Sequence, residues 1–346
     1  MRVYEIGDQT GLGSLTASER PDLVPGPGEA VLRVSAMCLN HRDLNVLAGI
    51  YGARRPNARV PGSDGVGEVM AIGAGVTNLT VGDRVTCAHF VTWLGGDFAA
   101  SAFGADLGIT RDGWLAEQVL VPAAALVAVP DSLSDEQAVA LPAAGLTAWN
   151  AVVEVGKVKA GDLVLVLGTG GVSIFALQIA KLHGARVAVT SSSDEKLELA
   201  RRLGADITIN YQTHPDWAAA LNAATGGAGA DIVVETGGFV TLSQSIAAAA
   251  VNGRIAIIGA LGGAATETLP NFGTIIGKNL TLRGIAEGSR AMLVSLVRAV
   301  AASAMKPVIS RSFAFDEAPA AYAWLKSGAH VGKVMIKGHK ADKANA

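Results

Sequence analysis

Cysteine is scarce in this chain: 346 residues include only Cys38 and Cys87. Two cysteines exclude a disulfide framework, and a reducing cytoplasm is the expected setting. Excess charge is also lacking. The net charge is −2 and no large basic block occurs, so nucleic acid is not an expected partner. Long apolar runs are absent too. Leu163–Leu167 is far too short to span a bilayer, and Met1-Arg-Val-Tyr-Glu-Ile6 reads as an edge strand rather than a signal peptide. A soluble protein without a membrane partner is expected. No internal repeat is visible.

What the chain does have is glycine, 42 residues of it, and a half-hydrophobic composition long enough for two domains. The most informative stretch is Leu163-Val-Leu-Val-Leu-Gly168-Thr-Gly-Gly171-Val-Ser173. A short Val/Leu run reads as a buried parallel strand. Glycines follow, and then Ile174, Leu177, Ile179, Ala180 and Leu182 recur at helical spacing. Strand, glycine loop and helix form the unit that binds a dinucleotide. Gly168 permits the tight turn, Gly170 clears the pyrophosphate's approach, and Gly171 and Val172 open the helix whose N-terminus favours anions. Ser173 fills the third glycine slot, where a small side chain suits helix–strand packing.

Residues 1–130 look β-rich. Ala30–Ser35 alternates, and Gly65–Val69 and Gly82–Thr86 are short strand candidates bounded by Gly and Pro. A small barrel-like domain is expected, completed by residues 291–346. Residues 131–290 form the second domain. A helix capped by Ser134 opens it. Strands are expected at Leu163–Leu167, Arg186–Thr190, Ile207–Ile209, Ile232–Glu235, Arg254–Ile258 and Leu280–Leu282, alternating with helices such as Glu195–Leu203. That is the rhythm of an α/β doubly wound parallel sheet. Val91–Gly113 has no clear period and reads as an ordered excursion. Helices near Ala291–Ala304 and Ala318–Leu325 and strands at Arg311–Phe315 and Lys333–Ile336 follow. A polar tail that should fray ends the chain.

The dinucleotide's identity turns on the second strand end, Val189-Thr190-Ser191-Ser192-Ser193. NAD-binding units place an acid about 20 residues past the first glycine, to bind the ribose 2′-hydroxyl. Here Ser191 stands there. The hydroxyls of Ser191 and Ser192 can accept a 2′-phosphate that a carboxylate would repel, and Lys196, with Arg201, can add positive charge. NADP(H) is therefore expected over NAD(H). Two alternatives stay open. Asp194 or Glu195 is the displaced acid, or both simply favour a helix start; Lys196 is equally read as a solvated helix lysine.

The motifs Asn40-His-Arg-Asp43, Pro61-Gly-Ser-Asp-Gly65-Val-Gly-Glu68, Gly82-Asp-Arg-Val85, Leu141-Pro-Ala-Ala-Gly145-Leu-Thr147-Ala-Trp149, the Gly168 loop, Leu203-Gly-Ala205 and Gly332-Lys-Val334 recur in order across nearly the whole chain. With them the sequence resembles the medium-chain dehydrogenase/reductase superfamily, zinc-type alcohol dehydrogenase-like, on its zinc-independent, quinone oxidoreductase-like branch. The resemblance implies a GroES-like β-barrel catalytic domain plus a Rossmann domain, an active site in the cleft between them, and a homodimer or tetramer. Alignment to the zinc enzymes puts Asn40, Ser63, Asp64 and Ala143 where their catalytic ligands stand, so no zinc is expected there; of these only Asp64 could bind a metal. The structural zinc lobe, which needs four closely spaced cysteines, is missing from Val91–Gly113. Cys87 and His89 are near each other, but the pattern offers no further zinc ligands beside them. Cys38 falls on a usual glycine position and reads as small and buried.

Metal-free relatives share Asn40, Asp43 and Gly49-Ile-Tyr51, although Asn45 stands where they often have tyrosine. The implied activity is NADPH-dependent hydride transfer to quinones or α,β-unsaturated carbonyls. A donor must stabilise the enolate oxygen and a proton must reach the α-carbon. Asn40 is the first candidate donor, or a helix cap. Tyr51 donates too, or lines the pocket. His41 touches the pyrophosphate or relays a proton, or is a surface histidine. Asp43 reads as structural. By resemblance, Thr147 and Tyr211 contact the cofactor, Tyr211 beside the 2′-phosphate. Gly237, Ile258 and Gly259 end strands facing the nicotinamide half, and Ser289 and Lys333 complete that end. Two other functions compete: an alcohol dehydrogenase or carbonyl reductase with unusual metal ligands, and an NADPH-binding scaffold or redox sensor with little turnover.

Overall fold

A computed structural model of the chain describes residues 1–51, 58–259 and 270–339. They form two compact units. One comprises Met1–Ala143 and the chain from Ser289 onward; the other is Ala144–Gly288. The chain thus changes unit at 143/144 and 288/289, against boundaries near 130 and 290 read from the sequence.

The first unit is built on a long strand, Glu29–Leu39, in a seven-stranded sheet. Its inward positions alternate as apolar residues should on a half-buried strand, and Leu32, Val34, Met37 and Leu39 join Val69, Val85, Trp114 and Tyr322 in one core. Lys333–Lys337 pairs antiparallel with its far half, setting Val334 opposite Leu39 and Met335 opposite Cys38. Asp64–Ile72 pairs along its other side, with Asp64 also opposite Cys38. This double register brings residues 40, 64 and 333 to one end of the sheet. Gly65 sits against the indole of the fully buried Trp114, so close that a Cβ would lie 1.9 Å from the ring.

The Val91–Gly113 excursion is ordered. It carries a 3-10 segment, Ala100–Ala105, and packs Phe90, Trp93 and Ala102 against Met292. Phe98 and Phe103 meet edge-on at 5.3 Å and extend the cluster. Ser134 accepts the N–H of Gln137 at 3.3 Å, as a cap should, but its helix stops after Asp135–Ala138. Pro142 lies just beyond, and the chain continues through a π-helical turn, Leu141–Gly145, before Leu146–Trp149.

The second unit holds a six-stranded sheet in the order Ile207–Asn210, Arg186–Ser191, Leu163–Leu167, Ala230–Glu235, Ala249–Ile257, Thr281–Gly284. Every pairing is parallel. The chain starts in the middle, steps to one edge, then returns to build the other half, which is the order of a dinucleotide-binding doubly wound sheet. All five residues of Leu163–Leu167 are buried, which is why the strand reads as a continuous apolar run. The helices Gly171–Leu182, Asp194–Arg202, Trp217–Ala224 and Phe239–Ala248 supply the crossovers. Among the described residues no helix is long and apolar enough to cross a membrane. The end of the expected polar tail, 340–346, lies outside the described residues.

Candidate active site

In the second unit the strand Leu163–Leu167 ends at Gly168, whose φ of +74° is a conformation that glycine adopts without strain. The helix Gly171–Leu182 starts three residues later with Gly170 at its N-cap, and Val172 sits in its first turn. A Cβ built on Gly168 or Gly170 would meet nothing within 4 Å. An open, side-chain-free turn at a helix N-terminus is the cradle a pyrophosphate requires, so these residues fit a dinucleotide. The Ser173 hydroxyl donates to Leu167 O at 2.6 Å, clamping the helix to the strand end from the third glycine slot.

At the next strand end Ser191 is buried, its carbonyl accepting the N–H of Tyr211 at 3.0 Å, while Ser192 is exposed. Ser193 caps the helix Asp194–Arg202, accepting the Lys196 N–H at 3.3 Å, which leaves Lys196 half-buried in the first turn. Tyr211 is 39% exposed beside them. Asp194 accepts from Asn210 Nδ2 at 2.8 Å, and Arg201 turns to Glu198 and Thr208. Arg201 thus ties its helix to the strand Ile207–Asn210.

Sequence reasoning overlooked Glu235, although it is the charged residue that follows the apolar run Ile232–Val234. It is fully buried. Its Oε1 accepts from Gly237 N at 2.7 Å, Gly238 N at 2.9 Å and Thr241 Oγ1 at 2.6 Å, and Oε2 accepts from Ser245 Oγ. Its carbonyl accepts from Ile258 N and Gly259 N at 2.9 and 3.0 Å. One residue therefore shapes both strand ends that carry Gly237, Ile258 and Gly259. Thr147 is buried in the segment Leu146–Trp149.

Ser289 and Lys333, the remaining expected cofactor residues, lie in the first unit. Ser289 caps the helix Arg290–Ala301 through Met292 N at 3.3 Å. Lys333 is 2% exposed, and its Nζ donates to Leu39 O at 3.0 Å, Asn40 Oδ1 at 2.5 Å and Asp64 Oδ2 at 3.0 Å. Its three protons are used within the fold, so it has none for a cofactor.

Asn40 occupies the N-cap position of the helix His41–Leu47, but its side chain does not make the cap bond. Asp43 serves the turn instead, its Oδ2 accepting the Asn40 N–H at 2.7 Å; burial raises its pKa to about 6. The Asn40 amide bridges Lys333 and Ser63, with Nδ2 donating to Ser63 Oγ at 3.1 Å. Asp64, fully buried, accepts from Ala143 N at 3.1 Å through its other oxygen. Cys38, behind this cluster, is fully buried, which pushes its thiol pKa up to about 12.

His41 is exposed at the start of the helix, and partial desolvation lowers its pKa. The Tyr51 ring stacks under the Arg42 guanidinium at 5.2 Å. Arg42 reaches inward to His89 Nδ1 at 2.7 Å and Asp106 Oδ1 at 2.8 Å, and His89 Nδ1 lies 2.9 Å from the same oxygen. His89, two residues from Cys87, thus bonds an arginine and an aspartate.

Residues 26–131 match the family model of the alcohol dehydrogenase GroES-like domain, and residues 171–302 that of the zinc-binding dehydrogenase. A zinc-type alcohol dehydrogenase-like protein of Schizosaccharomyces pombe is 44% identical over 317 residues, covering 90% of this chain and 91% of that one. The chain belongs to the medium-chain dehydrogenase/reductase superfamily. It is an NAD(P)(H)-dependent oxidoreductase of the alcohol dehydrogenase type. The solved structure of an NAD-dependent alcohol dehydrogenase superposes on this chain with a TM-score of 0.88 at 36% identity, covering 97% of this chain and 99% of that one. An acryloyl-coenzyme A reductase of Sulfurisphaera tokodaii is 29% identical over 332 residues, covering 92% and 95%.

Proposed function

We propose that this dehydrogenase/reductase carries a hydride from NADPH to quinones or α,β-unsaturated carbonyls and does so without zinc. The observation that carries this reading is the side-chain set at Asn40, Ser63, Asp64 and Ala143. An amide, a hydroxyl, a methyl group and one carboxylate already bonded through both oxygens make a poor donor set for Zn²⁺, which favours thiolate and imidazole. Among the described residues no cluster of three or more His, Cys, Asp or Glu could hold a metal ion. The family's zinc therefore has no fitting place at these residues.

NADPH, held at Gly168, Gly170, Gly171, Val172 and the Ser191–Ser193 end, would supply the hydride. Hydride addition at the β-carbon moves an electron pair onto the carbonyl oxygen. The Asn40 amide N–H can stabilise that oxygen. The α-carbon then takes a proton from solvent, by way of the exposed His41 ring or the Tyr51 hydroxyl. The products are the saturated carbonyl and NADP⁺; with a quinone, the hydride and one proton give a hydroquinone.

The test is a panel of enones, enoyl thioesters, quinones and aldehydes, read by loss of NADPH absorbance and repeated with NADH, beside metal analysis of the purified protein. Turnover of enones or quinones with NADPH preferred, at far below one zinc per chain, is expected. About one zinc per chain, with activity lost to a chelator, would establish the alcohol dehydrogenase reading instead. Tight NADPH binding with no turnover across the panel would favour a binding protein.

A further inference from the structure

Three stretches remote in sequence meet at one ammonium. Lys333 lies 293 residues from Asn40 and 269 from Asp64, and the sheet register sets all three at the same end. Nζ has three N–H bonds and finds three acceptors: Leu39 O, Asn40 Oδ1 and Asp64 Oδ2. None is left for a substrate, so any influence of the lysine on chemistry passes through a neighbour.

That neighbour is Asn40. An ammonium can only donate, so the oxygen of the amide must face it, and the choice between the amide's two orientations is removed. Nδ2 is thereby turned the other way. It gives one N–H to Ser63 Oγ at 3.1 Å, and its second N–H has no acceptor among the described residues. A charged donor on Oδ1, from a lysine itself 2% exposed, draws electron density from the amide nitrogen and strengthens the remaining N–H as a donor. Asp64 holds the lysine in turn and is itself pinned by Ala143 N.

We infer that Lys333 is a positioning residue for Asn40: the buried ammonium orients and polarises the amide so that its remaining Nδ2–H receives the negative oxygen that develops on a carbonyl substrate. The inference rests on the reductase reading above for its substrate class. Asn40 touches the reacting oxygen, and Lys333 acts behind it. Charge that a bound metal would bring to the oxygen directly is here delivered through an amide.

The first probe needs no turnover. p-Nitrophenol, whose phenolate carries a compact oxyanion, is titrated into the protein loaded with NADP⁺, and the phenolate absorption reports how much of the bound probe is ionised. Lys333→Met alone would leave Asp64 a buried, unpaired carboxylate and risks misfolding. Lys333→Met with Asp64→Asn is neutral at both positions and is the working variant. Wild type should bind the phenolate in preference to the phenol. The double variant should bind it about tenfold more weakly, with NADPH affinity held within about twofold. Adding Asn40→Ala to the double variant should cost little more, because the three groups act as one unit. With an enone substrate, kcat should fall about tenfold or more in the double variant with KM nearly unchanged.

No phenolate preference in wild type, an unchanged preference in the double variant, or losses from Asn40→Ala and the double variant that multiply would each overturn the inference. If no panel substrate turns over, yet phenolate binding depends on Lys333 and Asn40, the reductase reading fails and this one stands.

Discussion

Arg42, His89 and Asp106 show how single residues can tie an irregular loop to regular structure. The Val91–Gly113 excursion has few backbone ladders of its own, and this buried trio fastens it to the helix His41–Leu47. Burial, and then the Arg42 charge, hold the His89 pKa below its ordinary 6.5. Asp106 is held below 3.8 by His89 and Arg42 although burial opposes them. Both shifts act in the same direction on acidification. The unfolded chain takes up a proton at His89 below 6.5 while the folded chain resists, so stability falls as the pH drops through that value; the Asp106 contribution follows below 3.8. Asp43 works the other way, since a carboxyl raised to about 6 gains a proton first in the folded state. His89→Gln isolates the histidine. Its melting temperature should lie below that of wild type near pH 7, and the gap should narrow by about pH 5. A gap that widens on acidification would contradict the assignment, and thermal melts across that range decide it.

At the scale of elements, close contact between Asp64–Ile72 and the core depends on one missing side chain. A Cβ on Gly65 would fall 1.9 Å from the buried Trp114 ring, and neither the strand, paired on both sides, nor the indole has room to retreat. Gly65→Ala should destabilise the protein by about 3 kcal/mol or more, seen in denaturant unfolding, and should weaken the Asp64–Lys333 pair one residue away. Elements such as these strands are largely legible in sequence. Leu163–Leu167 emerges with its exact ends because all its residues are buried, and the Gly168 turn follows from spacing alone. The helix expected from Ser134 is cut short, since the π turn at Leu141–Gly145 leaves no periodic trace. The site was half legible. Asn40 and Ser191 stand out by position, but the partner of Asn40 does not, because a lysine 293 residues away signals nothing in a local pattern. The aromatic cluster around Phe90 likewise has no period to read, being built on 3-10 turns.

For the molecule as a whole, the edge of the six-stranded sheet at Thr281–Gly284 bears on assembly. Thr281–Gly284 pairs only with Ala249–Ile257 among the described residues. The short helix leading into it exposes Phe272 and Ile276 at 66% and 78%, and Val251 on the neighbouring strand is 65% exposed. An unpaired edge flanked by apolar side chains is a template for a second copy of the chain. A homodimer through this edge is expected in light scattering at micromolar concentration, and Phe272→Glu with Ile276→Glu should shift it toward monomer. A wild-type monomer would contradict this. The Lys333 junction carries a different consequence, one of timing. A ribosome delivers Asn40 and Asp64 long before it delivers the lysine, 269 residues behind Asp64. Until the late strand Lys333–Lys337 docks beside Glu29–Leu39, the early half of the site holds a carboxylate with no counter-charge and an amide free to turn. A nascent chain that has already folded its Gly168 turn would thus still lack the Asn40–Lys333–Asp64 junction, which is completed only when Lys333–Lys337 is in place.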